Sequence, residues 1–317
     1  MKTNKNQFRT IKLNILILLS IVSINANAGI IYATDGGSDS RTLYKIDSHS
    51  GEVTTIGSIG YSVADIGWDR TTNTLYGVTK TRNRRDDLFE GLISINTKTG
   101  TGTEIGRSSP RITQVDIDSK GNMYGSDGFT IYRINKTTGI ATEEHPVTVN
   151  IDLGGDNTFQ TNASLGKYGL SFDNSDLLWT TLGVENNRFG STDMETGISS
   201  ITANLIPPKP NITYTGGITL EGDSIYIGRH GTFNPETNLY WVLLNNTITK
   251  YDMSTGNIMG TLDLVNAPPA IPNPFQANQG IRSLAFASPV PLPAAFWLFS
   301  SALAGILGFS NRNSRKA

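Results

Sequence analysis

Three acidic residues have the chemistry and the sequence context to form a catalytic pair of carboxylates. Asp65, Asp116 and Glu221 each lie in a short apolar segment that predicts an inner strand of a repeated unit. Two carboxyl groups held roughly 5 to 10 Å apart can act as general acid and as base or nucleophile on a glycosidic bond. Acids in repeated turns are also the ordinary background of such a sequence. A catalytic role for the three residues therefore remains an alternative interpretation, and no catalytic residue is assigned.

One of these acids also belongs to a partial match to a calcium-binding loop. Asp116, Asp118 and Gly121 occupy positions 1, 3 and 6 of that loop. Lys120 stands at position 5, where an oxygen ligand belongs, and no glutamate follows at position 12. The favoured interpretation is a tight turn between two strands, and we expect no metal ion and no cofactor.

The remaining residues with site-forming chemistry are scattered. Three histidines share no metal-ligand spacing and are predicted to lie at the surface; they are His49, His145 and His230. Trp68, Trp179 and Trp241 fall in predicted strands, where packing between repeats is favoured over stacking on sugars. The chain has no cysteine, which excludes disulfides and thiolate sites.

The elements that would position these residues recur along the chain. One phrase contains a strand, an Asp or Asn, a turn with Thr/Ser-Gly, and a second strand. It occurs at residues 43–57, 92–106, 131–143, 191–201 and 248–262, with turn glycines Gly51, Gly100, Gly139, Gly197 and Gly256. The acid or amide is expected to bond the backbone ahead of it, while the glycine supplies a positive φ. Each phrase therefore predicts a β-hairpin.

A second hairpin phrase precedes the first in four of the repeats. It occupies residues 63–78, 114–126, 168–181 and 216–228. Two hairpins make four strands, and a four-stranded unit that recurs every 40 to 60 residues is typical of a propeller blade. The predicted fold is an all-β propeller, with strand 281–287 completing the first blade and closing the ring. The count is five blades, and the irregular stretch 146–166 leaves six open.

The N-terminus predicts a Sec-type signal peptide over residues 1–28. Four basic residues precede an apolar run at 13–24, and the small residues Ala26 and Ala28 fit the cleavage rule for signal peptidase. Cleavage is expected after Ala28. The propeller domain is then assigned to residues 29–288.

The C-terminal residues 289–317 predict a sorting signal. They begin with Val290, Pro291, Leu292, Pro293 and Ala294. An uncharged stretch at 294–310 follows, at the lower limit of membrane-spanning length, and predicts a single transmembrane helix. The basic residues Arg312, Arg315 and Lys316 lie in the final segment 311–317 and indicate a cytoplasmic end.

This tail resembles the PEP-CTERM class of sorting signals, in the variant whose motif is VPLPA. The resemblance implies an exosortase-type membrane peptidase as processing partner, a Gram-negative host that makes exopolysaccharide, and temporary membrane anchoring before the body reaches the cell surface or the medium. The body resembles the YVTN, NHL and WD-repeat propellers of bacterial surface proteins, in architecture only.

The charge of the body narrows the range of partners. Residues 29–288 carry 19 basic and 27 acidic residues, a net charge of −8, although the whole chain has only −1. This balance argues against nucleic acid as a partner. The favoured function is a non-enzymatic surface or matrix protein that binds polysaccharide or protein, or that only adds bulk to a surface layer. An extracellular polysaccharide hydrolase or lyase is the alternative.

Overall fold

The propeller fold predicted from the repeats is present. The computed structural model describes residues 29–35, 41–79, 90–146, 148–152, 158–162, 165–182, 188–195, 198–204, 231–244, 246–268 and 281–287. These residues form five β-sheets, and no helix occurs among them. The signal peptide predicted at 1–28 and the transmembrane helix predicted at 294–310 lie outside this part of the chain. No described helix is long and apolar enough to cross a membrane.

Each sheet is one blade, and its strands run in order from the axis outward. Blade 1 contains β22 (Ile281–Ala287), β1 (Ile30–Asp35), β2 (Thr42–Asp47) and β3 (Val53–Ser58). Blade 2 contains β4 (Val63–Asp69), β5 (Thr74–Thr79), β6 (Gly91–Ile95) and β7 (Gly102–Arg107). Blade 3 contains β8 (Gln114–Ile117), β9 (Met123–Ser126), β10 (Thr130–Ile134) and β11 (Ala141–Pro146).

The last two blades follow the same order. Blade 4 contains β14 (Leu165–Phe172), β15 (Leu178–Leu182), β16 (Arg188–Thr192) and β17 (Ile198–Asn204). Blade 5 contains β18 (Gly231–Phe233), β19 (Tyr240–Leu244), β20 (Thr247–Tyr251) and β21 (Ile258–Asp263). The five innermost strands contact one another in a ring, so the residues they carry meet at the axis.

Blade 1 is assembled from both ends of the propeller. Strand β22 pairs antiparallel with β1, with Ile30 opposite Ala287 and Thr34 opposite Ser283. The prediction that residues 281–287 close the ring is therefore confirmed. Closure gives β1 a partner on its inner edge, which would otherwise present unpaired backbone groups.

The stretch that left a sixth blade open forms a hairpin at the outer edge of blade 4. Strands β12 (Thr148–Asp152) and β13 (Thr158–Asn162) pair with each other, and β12 pairs in parallel with β17. Only residue 147 separates β12 from β11 of blade 3. The chain thus links the outer edges of two blades, and the blade count is five.

One predicted hairpin was misplaced. Residues 216–228 were expected to form the inner hairpin of blade 5, but β18 and β19, at 231–244, form it. Segment 216–228, which includes Glu221, lies outside the described residues. The pattern was missed because β18 has only three residues and because Asn234 stands where the other blades have aspartate.

The predicted turn chemistry is confirmed in the outer hairpins of blades 1, 2, 3 and 5, while Gly197 of blade 4 lies outside the described residues. Oδ1 of Asp47 accepts hydrogen bonds from the backbone N–H groups of His49 and Ser50 at 2.9 and 2.8 Å, and Gly51 has φ of +74°. Asn96, Asn135 and Asp252 bond the backbone in the same way. The turn glycines Gly100, Gly139 and Gly256 also have positive φ. We call these carboxylate- and amide-capped turns Asx turns.

A close approach of backbones joins neighbouring blades at their outer strands. A methyl group added to Gly106 in β7 would lie 1.8 Å from the carbonyl oxygen of Thr138, in the Asx turn of blade 3. One added to Gly57 in β3 would lie 2.2 Å from that of Thr99, in blade 2. Both obstacles are backbone atoms, so the blades must separate to admit a side chain.

The variant Gly106→Ala is therefore expected to lose about 2 to 3 kcal/mol of unfolding free energy, since overpacked sites cost this much. Gly60→Ala is the matched control. A methyl group there would meet nothing within 4 Å, so the control carries only the cost of φ at +83°. Urea denaturation measures both variants, and a loss below about 1 kcal/mol in Gly106→Ala would show that the close approach is not tight.

Candidate functional site

The polar residues of the inner strands lie at the axis of the propeller. Asp65 in β4 and Ser283 in β22 occupy matching positions, as do Asp116 in β8, Ser171 in β14 and Thr232 in β18. The last three stand opposite Tyr124, Trp179 and Trp241 of their second strands. Alternation along each strand directs these polar side chains to the same side of every blade.

Asp65 joins three blades. One carboxylate oxygen accepts hydrogen bonds from the Ser283 hydroxyl of blade 1 and from the Ile66 backbone N–H at 3.0 Å. The other accepts the backbone N–H of Val115, in blade 3, at 3.0 Å. The Ser283 hydroxyl oxygen also lies 3.2 Å from the Ile66 nitrogen. With 4% of its surface exposed, Asp65 is a buried carboxylate held by donors from both neighbouring blades.

Asp116 repeats this arrangement at the next junction. Its Oδ2 accepts the Ser171 hydroxyl at 3.0 Å and the Phe172 backbone N–H at 2.8 Å, both from blade 4. The Ser171 oxygen in turn lies 3.3 Å from the Phe233 nitrogen of blade 5. Among the described residues, four of the five junctions between blades are thus bridged by a side-chain oxygen and a backbone N–H of the following blade.

Burial at the axis shifts the pKa of Asp116. The pKa of Asp116 is raised from 3.8 to about 6, chiefly by burial and also by the charge of Asp65, against hydrogen bonds that lower it. Its side chain nevertheless keeps some exposed surface. Burial also raises the pKa of the Tyr240 phenol, and the charge of Asp65 adds to that shift. The axis therefore contains a carboxyl group that changes charge near pH 6.

This shift predicts that stability falls as pH rises through the range between the two pKa values of Asp116. Below about pH 4 the group is protonated in the folded and the unfolded chain, so its shift has no effect. Between about pH 4 and 6 the unfolded chain loses the proton first. The free energy of unfolding therefore falls across this range, and above about pH 6 the total loss is about 3 kcal/mol.

The measurement compares the wild-type chain with Asp116→Asn by urea denaturation from pH 4 to 7. The wild type is expected to lose about 2 to 3 kcal/mol relative to the variant over this range. The difference cancels the titration of the other carboxylates. A constant difference, or one that moves in favour of the wild type, would contradict the raised pKa.

The aromatic residues pack between blades, as predicted for the tryptophans. Trp68 and Phe172 on inner strands contact second-strand rings of the preceding blade, Tyr32 at 5.6 Å and Tyr124 at 5.3 Å between ring centroids. The same relation pairs Phe233 with Trp179 at 6.1 Å and Phe286 with Trp241 at 5.5 Å. At the remaining junction Ile117 and Tyr76 share one apolar cluster.

The partial calcium-loop match is a tight turn, as predicted. Oδ1 of Asp118 accepts the backbone N–H groups of Lys120 and Asn122 at 3.0 and 2.7 Å, and Gly121 has φ of +83°. Asp116 points instead to blade 4. In the part of the chain that the structure describes, no three His, Asp or Glu side chains are grouped to hold a metal ion.

The histidines that are described lie apart. His49 is in the Asx turn of blade 1, and Nε2 of His145 in blade 3 lies 2.8 Å from the Met194 carbonyl oxygen of blade 4. His230, the signal-cleavage residues, the motif at 290–294 and the basic residues at 312, 315 and 316 lie outside the described residues. The bridging roles of Ser171 and Ser283 were missed, because a serine in a small-residue strand carries no distinctive sequence signal.

Comparison with known proteins gives a distant resemblance in shape. No protein-family model and no curated protein sequence matches the chain. A nidogen–laminin complex is 15% identical, with 82% of this chain and 86% of that chain covered and a TM-score of 0.44. A Bacteroides thetaiotaomicron protein of unknown function is 19% identical, with 67% and 53% covered and a TM-score of 0.44. A gluconolactonase from Xanthomonas campestris is 10% identical, with 83% and 87% covered and a TM-score of 0.41.

These similarities are too distant to bear on activity, and they assign none to this chain. The description of the fold rests on the five sheets and their strand pairing. A propeller of this kind is compatible with a binding protein or with an enzyme.

Proposed function

We propose that this protein is exported, sorted at its C-terminus and displayed on the bacterial surface, with the propeller as a rigid scaffold that binds polysaccharide. Export is proposed from residues 1–28, by the Sec route with removal by signal peptidase. Sorting is proposed from residues 289–317, through an exosortase-type peptidase that acts near the VPLPA motif. The membrane helix holds the body until that cleavage, after which the body joins the surface or the extracellular matrix.

The observation that supports a scaffold over an enzyme is that the two axial acids are hydrogen-bonded to neighbouring blades. Asp65 and Asp116 accept backbone N–H groups of the blades that follow them, at 3.0 and 2.8 Å. Backbone donors cannot be repositioned during a reaction without moving a strand. Acids in this setting fasten blades together, which is a structural task.

Binding is tested with the mature body, residues 29–287, on a glycan array and by co-sedimentation with alginate, dextran and xylan. Saturable binding to at least one polymer is expected. Absence of binding, together with a normal surface matrix in a deletion strain, would contradict the proposal. The sorting step is tested in an exosortase-positive host, where replacing Arg312, Arg315 and Lys316 with glutamine should reduce surface delivery of the body.

A polysaccharide hydrolase or lyase is the second candidate, and one observation favours it. The pKa of Asp116 is raised to about 6 by burial and by the charge of a second acid, Asp65, and a general acid requires a raised pKa of this kind. If this candidate is right, the wild-type body releases new chain ends from a polymer and Asp116→Asn does not. Unchanged polymer in the presence of the wild type would exclude it for that polymer.

A further inference from the structure

The two faces of the propeller differ in what they carry. One face bears the Asx turns and the turns that follow the inner strands, and we call it the Asx-turn face. The opposite face bears the connections between second and third strands, such as Asp127–Phe129, and those from one blade to the next, such as 59–62 and 108–113. Strand direction fixes this division, because antiparallel neighbours alternate their turns between the two faces.

Both ends of the propeller domain lie on the Asx-turn face. Ala287 is the last residue of β22 and stands opposite Ile30, which in turn stands opposite Asp47 at the start of an Asx turn. The carbonyl oxygen of Gly29 accepts the backbone N–H of Ser48 in that turn at 3.0 Å. The chain therefore leaves the propeller toward its C-terminal segment from this face.

The Asx-turn face is also held together by bonds between blades. Asp176 of blade 4 accepts the backbone N–H and the hydroxyl of Ser119 in blade 3, both at 2.7 Å. Asn174 donates its backbone N–H to the Asn238 side chain of blade 5 at 2.9 Å. Lys136 of blade 3 pairs with the buried Asp69 of blade 2. Polar side chains on this face thereby join blade 2 to blade 3, blade 3 to blade 4 and blade 4 to blade 5.

The length of chain beyond β22 limits how far this face can stand from a membrane. Six residues, 288–293, separate Ala287 from Ala294, where the uncharged stretch begins. Fully extended, the seven steps from Ala287 to Ala294 span about 25 Å at most. Three of the six link residues, Pro289, Pro291 and Pro293, are prolines, which restrict the backbone conformations of the link.

We infer that the propeller is held with its Asx-turn face toward the membrane and presents the opposite face to polysaccharide in the medium. The inference rests on the proposed membrane attachment of residues 294–310. It assigns the two faces separate tasks, attachment and recognition.

The opposite face displays an aromatic ring on a firmly bonded turn. Phe129 is 65% exposed, and its backbone N–H is bonded to Oδ1 of Asp127 at 2.8 Å. The same oxygen accepts the Thr130 N–H at 2.9 Å, and Gly128 bonds the Ser126 hydroxyl oxygen at 2.9 Å. A ring presented in this way can stack on a sugar with little loss of conformational freedom. On the Asx-turn face, Ile140 is the matched exposed apolar residue, at 58%.

Orientation can be measured cleanly because the chain has no cysteine. Full chains with one cysteine each, Lys98→Cys or Glu236→Cys on the Asx-turn face and Phe129→Cys or Arg111→Cys on the opposite face, are labelled with a fluorophore. They are inserted in phosphatidylcholine–phosphatidylglycerol vesicles that carry a nitroxide on the lipid headgroup. Dyes at 98 and 236 should be quenched several-fold more than dyes at 129 and 111.

The outcomes separate the inference from the function on which it rests. Equal quenching at the four positions, or the reverse order, in protein that floats with the vesicles would overturn the orientation and leave the attachment standing. Protein that does not float with vesicles would overturn the attachment and the orientation together.

The recognition half is tested by polymer co-sedimentation of Phe129→Ala and Ile140→Ala in the mature body. Phe129→Ala is expected to weaken binding by about tenfold, which corresponds to about 1.4 kcal/mol, while Ile140→Ala leaves it unchanged. Equal losses, or a loss confined to Ile140→Ala, would overturn the assignment of the binding face. Thermal unfolding of both variants confirms that any loss of binding is not a loss of fold.

Discussion

A chain that ends at residue 280 should fail to fold cooperatively, whereas a chain that ends at residue 287 should fold like the intact body. The difference is strand β22, whose Ile281, Leu284 and Phe286 are buried at 6%, 3% and 6% exposure. Burial of three such side chains contributes about 5 to 8 kcal/mol. That is comparable with the whole net stability of a typical domain, about 5 to 15 kcal/mol.

The loss extends beyond apolar burial. Without β22, β1 loses the partner on its inner edge, Trp241 loses the ring of Phe286, and Asp65 loses the hydroxyl of Ser283. Far-ultraviolet circular dichroism with urea denaturation measures both chains. A shorter chain with an unchanged midpoint would show that the ring does not depend on β22. An unfolded longer chain would show that residues after 287 are needed for the fold.

The second large effect is expected from Asp65→Ala, which should lower the unfolding free energy by about 3 to 5 kcal/mol. Truncation leaves the buried donors of Ser283 and Val115 without this acceptor, and each unsatisfied buried donor costs about 1 to 3 kcal/mol. Because these donors belong to blades 1 and 3, the loss weakens two junctions at once.

Glu104→Ala is the matched control for removal of a carboxylate. Glu104 is exposed and accepts a 3.2 Å hydrogen bond from the Tyr61 hydroxyl, so its loss should change stability by less than about 0.5 kcal/mol. Urea denaturation at pH 7 compares the two variants. Similar small losses would mean that the Asp65 bridge does not hold the blades, and the case for a structural axis would fail.

The turns and strands could be predicted because their causes are local. An acid or amide followed four residues later by glycine, as at Asp47 and Gly51, bonds its own backbone within one turn. Alternation of apolar residues then assigns a face to each strand. Alternation failed only at the inner hairpin of blade 5, where the three-residue strand β18 leaves too short a pattern to recognise.

The task of the axial acids could not be predicted, because it depends on residues far apart in the chain. Val115 is 50 residues from Asp65, and Ser283 is 218 residues from it. Sequence alone identified Asp65 and Asp116 as acids on inner strands but could not show that backbone N–H groups of other blades face them. The aromatic contact between Phe286 and Trp241 has the same origin, since it forms only when the ring closes.

The most direct test of the account is the appearance of new chain ends in a polysaccharide that the mature body binds. The account treats Asp65 and Asp116 as fasteners between blades, so the wild type and Asp116→Asn should bind the polymer equally and release no ends. Ends released by the wild type and abolished by Asp116→Asn, with binding and fold retained, would contradict it and identify the axis as an active site.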